Sequence, residues 1–154
     1  MTRLCALLAL SVCFAASGAV AQPPQRLDKA AQAKVDETVA AYAAAWNEPD
    51  LAARRQLLDK AWATAGTYTD PTVQLEGRDA LAQHISGFQK GLPGATIVPT
   101  SRTDVHHGTL RFSWRILKAD GSTLSEGIDF GELDADGRIR RIVGFFGPFP
   151  AIDK

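Results

Sequence analysis

The sequence predicts an α+β fold in which three N-terminal helices pack on a strongly bent antiparallel sheet. Three observations carry this. The first half of the chain holds apolar residues at helical spacing. From residue 95 onward the pattern changes to alternating runs joined by short turns. Between the halves, Gly66-Thr67-Tyr68-Thr69-Asp70-Pro71 forms a short β-prone run that ends in a carboxylate and a proline.

The N-terminus reads as a targeting segment. Arg3 is a short basic region, residues 4–16 are an almost unbroken apolar run, and Ala19-Val20-Ala21 is a small-x-small cleavage site. The run is shorter than the roughly 20 residues a membrane-spanning helix needs. Residues 1–21 are therefore read as a secretory signal, residues 22–29 as a tail and 30–150 as one domain. An exported protein, periplasmic or secreted, follows. Cleavage after Ala21 leaves 133 of 154 residues and removes both cysteines, Cys5 and Cys13. Neither a disulfide nor a cysteine nucleophile is then available. Without Arg3 the charges stand at 16 basic to 17 acidic, with no basic patch. Nucleic acid and anionic membrane are not indicated as partners.

Asp28 is placed to cap the first helix, whose Val35, Val39, Tyr42 and Trp46 fall on one face. Periodicity alone leaves Tyr42 as core or as a functional hydroxyl. Asn47-Glu48-Pro49-Asp50 breaks that helix, and Asp50 caps a second one burying Leu51, Leu58, Ala61 and Trp62. The run 67–70 reads as a strand with Tyr68 and Asp70 on one face. Asp70 lies at the junction between helices and sheet, where a cavity is expected. Asp79 is placed as cap of a third helix carrying Leu81, His84, Ile85 and Phe88 on one stripe, which Gly91 and Pro93-Gly94 end. His84 is read as a packed histidine or a ligand contact.

Residues 95–102 read as a strand interrupted by Pro99, hence an edge or a bulge. In 109–118, Leu110, Phe112, Trp114 and Ile116 face one way. Asp120-Gly121 turns into 123–133, and Asp134-Ala135-Asp136-Gly137 turns into 138–146, an antiparallel meander. Asp129 has Gly127 and Gly131 as same-face neighbours, so the sheet around it reads as bare. Close approach of a ligand or backbone is one explanation, a bulge or bend the other. Adjacent His106 and His107 point to opposite faces and suit a hairpin end better than a metal. No phosphate-binding, zinc-protease or serine-nucleophile motif occurs, and no cofactor or metal is read from the sequence.

Together these elements resemble the nuclear transport factor 2-like superfamily, and within it the SnoaL-like polyketide cyclase and steroid delta-isomerase branch. The carriers are Tyr42 with Trp46 and Asp50, Tyr68-Thr69-Asp70-Pro71 and Glu76-Gly77-Arg78-Asp79-Ala80-Leu81. Gly127-Ile128-Asp129-Phe130 and Asp134-Ala135-Asp136-Gly137-Arg138-Ile139 complete them. The resemblance implies a cone-shaped domain and a homodimer through the outer sheet face. It also implies three site residues. Asp70, before a proline at the strand end, matches the general base. Tyr42, eight residues before Asp50, matches the oxyanion-hole tyrosine, and Asp129, eight before Gly137, the protonated oxyanion-hole aspartate.

That constellation suits proton abstraction next to a carbonyl, with Asp70 as base and Tyr42 and a neutral Asp129 as donors. Tyr68, His84, Phe88, Trp114 and Phe146 are the expected ligand contacts. Phe88, Trp114, Phe145 and Phe146 are the expected apolar walls that keep Asp129 neutral. Pro148-Phe149-Pro150 reads as a stiff aromatic end able to cover the pocket. The ligand would be a small apolar or carbonyl-bearing molecule. A non-catalytic binder or a dimeric interaction module on the same fold is the competing expectation.

Overall fold

The Asp28 carboxylate accepts the Ala31 amide at 2.8 Å and opens helix α1 (Lys29–Asn47). Asp50 does the same for Ala53 at the start of α2 (Leu51–Ala61). Both caps follow from the short acidic side chain reaching an unpaired first-turn N–H. The computed structural model describes residues 27–153, so the leader and most of the tail lie outside the described residues. Among these residues no helix is long and apolar enough to cross a membrane.

Strand β1 (Trp62–Asp70) follows α2 without a loop. Trp62 was expected on the buried side of the helix. It is fully buried, but as the extended residue that ends α2 and begins β1. Pro71 and Thr72 turn the chain into β2 (Val73–Glu76), a strand the sequence reading did not assign. Helix α3 (Arg78–Gly91) starts one residue before the expected cap. Gly77 occupies the cap position at φ 91°, a region that strongly favours glycine. Asp79 sits in the first turn and pairs with Arg55 instead.

Of the expected 95–102 strand only β3 (Thr96–Pro99) forms, and β4 (Asp104–His106), which the sequence does not predict, follows it; both pair with β5 (Thr109–Leu117). Pro99 ends β3, which lies at the sheet edge, as a residue without an N–H should. His107 (φ 50°) and Gly108 (φ 72°) make the two-residue turn between β4 and β5, so the histidine pair caps a hairpin. Strands β6 (Thr123–Leu133) and β7 (Ile139–Phe146) complete the meander.

The result is an open, curved seven-stranded sheet in the order β2-β1-β7-β6-β5-β3, with β4 beside β5. It is antiparallel except where β1 runs parallel to β7. That parallel pair is not written in local turns, because its partners, such as Tyr68 and Ile142, lie far apart in the chain. The three helices cover the inner face. Leu58, Leu81, Ile85, Leu110, Ile139 and Ile142 form the sealed part of the core. Arg54, 1% exposed, is held by the carbonyls of Glu48 and Ala82 and the side chains of Ser86 and Gln89. It joins the α1–α2 turn to α3 without an ion-pair partner among the described residues.

Candidate active site

Register brings the two candidate carboxylates together. Asp129 on β6 is the cross-strand partner of Gly144 on β7, and Asp70 follows Thr69, which pairs with Val143 of β7. Both carboxylates thus flank Gly144 on the inner face. A methyl group on Gly144 would stand 2.9 Å from Asp129 Oδ1 and 3.7 Å from the Asp70 Cβ.

Asp129 is 3% exposed and held by two donors. The Trp114 indole N–H donates to Oδ1 at 2.8 Å, and the Tyr42 hydroxyl to Oδ2 at a long 3.4 Å. Trp114 faces Gly127 across the strands, and a Cβ there would lie 2.3 Å from the indole ring. The glycine lets the ring lie flat on β6 and reach the carboxylate two residues on. The sheet around Asp129 is therefore not bare. Trp114 covers Gly127, while Leu110 and Ile142 cover Gly131. Burial is the main force raising the Asp129 pKa to about 6. The Trp114 and Tyr42 bonds oppose the rise, and the nearby Asp70 charge adds to it. Tyr42 is itself buried, stacked on Trp62 at 5.6 Å, and burial drives its hydroxyl pKa well up, so it stays a donor.

Asp70 is built in the opposite sense. Its Oδ1 accepts from the Thr72 amide (2.7 Å), the Thr72 hydroxyl (2.7 Å) and the Val73 amide (3.0 Å). Its Oδ2 accepts from the Tyr68 hydroxyl at 3.0 Å. Burial raises its pKa, but these bonds outweigh burial and hold the carboxyl below its ordinary value. Asp70 is an anion that caps the β1–β2 turn with one oxygen and faces the cavity residues with the other. Tyr68 is 5% exposed, and burial raises its hydroxyl pKa.

A cavity of about 600 Å³ contains this arrangement, with Tyr42, Tyr68, Asp70 and Asp129 all on its wall. His84, Phe88, Trp114 and Phe146 line it as well. The His84 ring sits 5.8 Å from Trp46 and 5.7 Å from Tyr68, and burial lowers its pKa against the pull of Asp70. Phe145 is not a wall. Alternation along β7 turns it to the outer face, 57% exposed, against Phe130. Phe149 is 97% exposed and does not cover the cavity.

The sequence names Trp114 as a ligand contact and a wall but not as a donor, and its N–H makes the shorter of the two bonds to Asp129. Gly144 was not singled out, although the glycine pattern around Asp129 applies equally to its partner strand. Among the described residues no group of three metal-binding side chains occurs.

A family model described as a SnoaL-like domain matches residues 39–142. A SnoaL-like family protein from Agrobacterium tumefaciens, named as a candidate isomerase, is 36% identical. It covers 75% of this chain and 99% of its own length, with a TM-score of 0.71. A candidate SnoaL-like polyketide cyclase from Jannaschia sp. CCS1 is 14% identical over 79% of this chain and 91% of its own, TM-score 0.63. A protein of unknown function with a cystatin-like fold from Methylobium petroleophilum PM1 is 20% identical over 84% and 82%, TM-score 0.63. These last two share the fold alone. No curated protein matches the chain.

Proposed function

The chain belongs to the SnoaL-like domain family, and from that premise we propose that it transfers a proton next to a carbonyl in a small apolar molecule. One observation carries the reading: two carboxylates with opposite protonation tendencies share one largely apolar cavity. Asp70, anionic at neutral pH, takes the proton through Oδ2, which keeps a lone pair after accepting from Tyr68. On ligand binding the Tyr42 hydroxyl turns its one proton from Asp129 Oδ2 to the ligand, and Tyr42 and a protonated Asp129 then donate to the oxygen on which negative charge develops. A bound ligand displaces water from the cavity and pushes Asp129 further toward its neutral form. No cofactor enters this scheme.

The test is solvent deuterium uptake at the α-carbon of a panel of cyclic ketones, followed by NMR. Asp70→Asn should lower the exchange rate by about 10²–10⁴-fold, the usual worth of a general base. Its fold should persist, because the asparagine oxygen still accepts the Thr72 and Val73 amides. Unchanged exchange in that variant would remove Asp70 as the base.

A second reading is a non-catalytic binder, favoured by the three bonds that tie Asp70 Oδ1 to its turn. It predicts ligand binding with no exchange in the unmutated protein. Export after Ala21 is part of the proposal, checked by finding Gln22 as the first residue of protein recovered from the periplasm or medium. So is a homodimer through the outer sheet face, supported by the exposed Phe130 and Phe145 pair. Phe145→Glu should convert such a dimer to monomer in light scattering.

A further inference from the structure

We propose that His84 is a specificity residue that hydrogen-bonds a second oxygen on the ligand, so that the preferred ligand is a carbonyl compound bearing an additional hydroxyl or carbonyl. This rests on the proposed small-molecule site and narrows what it accepts. Asp129 with Tyr42 and Trp114 forms one polar group on the cavity wall, and on the α3 side His84 lies against Tyr68, which donates to Asp70.

The polar groups of this cavity are mostly committed. Tyr42 and Trp114 donate to Asp129, Tyr68 donates to Asp70, and Asp36 accepts from Gln32. Two titratable groups on the wall make no side-chain hydrogen bond among the described residues: Arg102, which is exposed, and His84, which is half-buried. His84 lies on an otherwise apolar stripe with Leu81, Ile85 and Phe88, its ring edge-on to Trp46. Its ring nitrogens are not sealed from the cavity, since among the described residues the buried side-chain nitrogen without a partner is Trp62 Nε1, so they are open to a ligand. Burial favours the neutral ring, and the charge facing it is Asp70, with Tyr68 between them in the wall. A neutral imidazole has one donor and one acceptor, which allows it to meet either a hydroxyl or a carbonyl.

The experiment compares 2-naphthol, which has one oxygen, with 2,6- and 2,7-dihydroxynaphthalene, which have two. Binding is measured by calorimetry on the mature protein. The unmutated protein should bind at least one diol about three- to tenfold more tightly than 2-naphthol, the worth of one neutral hydrogen bond. His84→Phe should bring the ratio of diol to 2-naphthol affinity down to about one, whatever the change in 2-naphthol affinity itself. His84→Gln, which keeps a donor and an acceptor, should restore the preference. The His84 ring nitrogen shifts should move with the diol and not with 2-naphthol. Equal binding of all three probes, or a diol preference that survives in His84→Phe, overturns the inference while the pocket reading stands. Failure of every probe to bind overturns both.

Discussion

Gly144 stands opposite Asp129 across the β6–β7 ladder, close enough that any side chain at 144 would meet the Asp129 carboxylate. The contact is with Oδ1, the oxygen held by Trp114. Relief by rotating the carboxylate therefore breaks that bond. Gly144→Ala should destabilise the protein by about 1–3 kcal/mol, the usual cost of one added carbon in a packed site. It should also move the Trp114 indole N–H resonance and weaken ligand binding. Urea unfolding and a ¹⁵N spectrum check both.

Asp129 makes stability depend on pH in a stated direction. Its folded pKa of about 6 lies above the ordinary 3.8, so the folded state binds the proton more tightly than the unfolded chain does. The contribution is fully present below about pH 4 and is lost as pH rises through about 6. Asp129→Asn removes this dependence and should be more stable than the parent at neutral pH by up to about 3 kcal/mol. The difference should vanish near pH 4. Urea unfolding between pH 4 and 7 measures it, and a parent whose stability rises across that interval relative to the variant contradicts the raised pKa.

Tyr42 holds Asp129 through a long bond, so its deletion should be felt in protonation more than in stability. Tyr42→Phe leaves Trp114 as the remaining side-chain donor to the carboxylate. The Asp129 carboxyl should then titrate at a higher pH in a ¹³C NMR experiment. Stability should fall by less than about 1 kcal/mol, as expected for a hydrogen bond at the edge of good geometry.

Arg54 supports the helical layer and lies apart from the cavity wall. Arg54→Leu leaves the Glu48 and Ala82 carbonyls and the Gln89 side-chain oxygen without their guanidinium donor. A loss of about 2–4 kcal/mol should follow in thermal or urea unfolding. The affinity of the folded fraction for 2-naphthol should not change.

Much of this architecture is legible in the residues because it is local. Asp28 and Asp50 cap their helices since a carboxylate two or three bonds from the backbone needs no distant partner. The meander from 109 to 146 follows from alternation and turn residues, and the same alternation places Tyr68 beside Asp70. Even Asp129, Asp70 and Tyr42 were nameable, through pattern and resemblance together.

What local pattern does not contain is which strands become neighbours. The parallel pairing of β1 with β7 puts Asp70 beside Gly144 and therefore beside Asp129, and no turn residue encodes it. The diagonal reach of Trp114 over Gly127 likewise depends on β5–β6 register, as does the outward turn of Phe145. Sequence alone determined the layers, the first two helix caps and the identity of the acidic residues. Tertiary structure decided which acid is buried and which is bonded to a turn, because desolvation and hydrogen bonding are properties of surroundings assembled from distant parts of the chain.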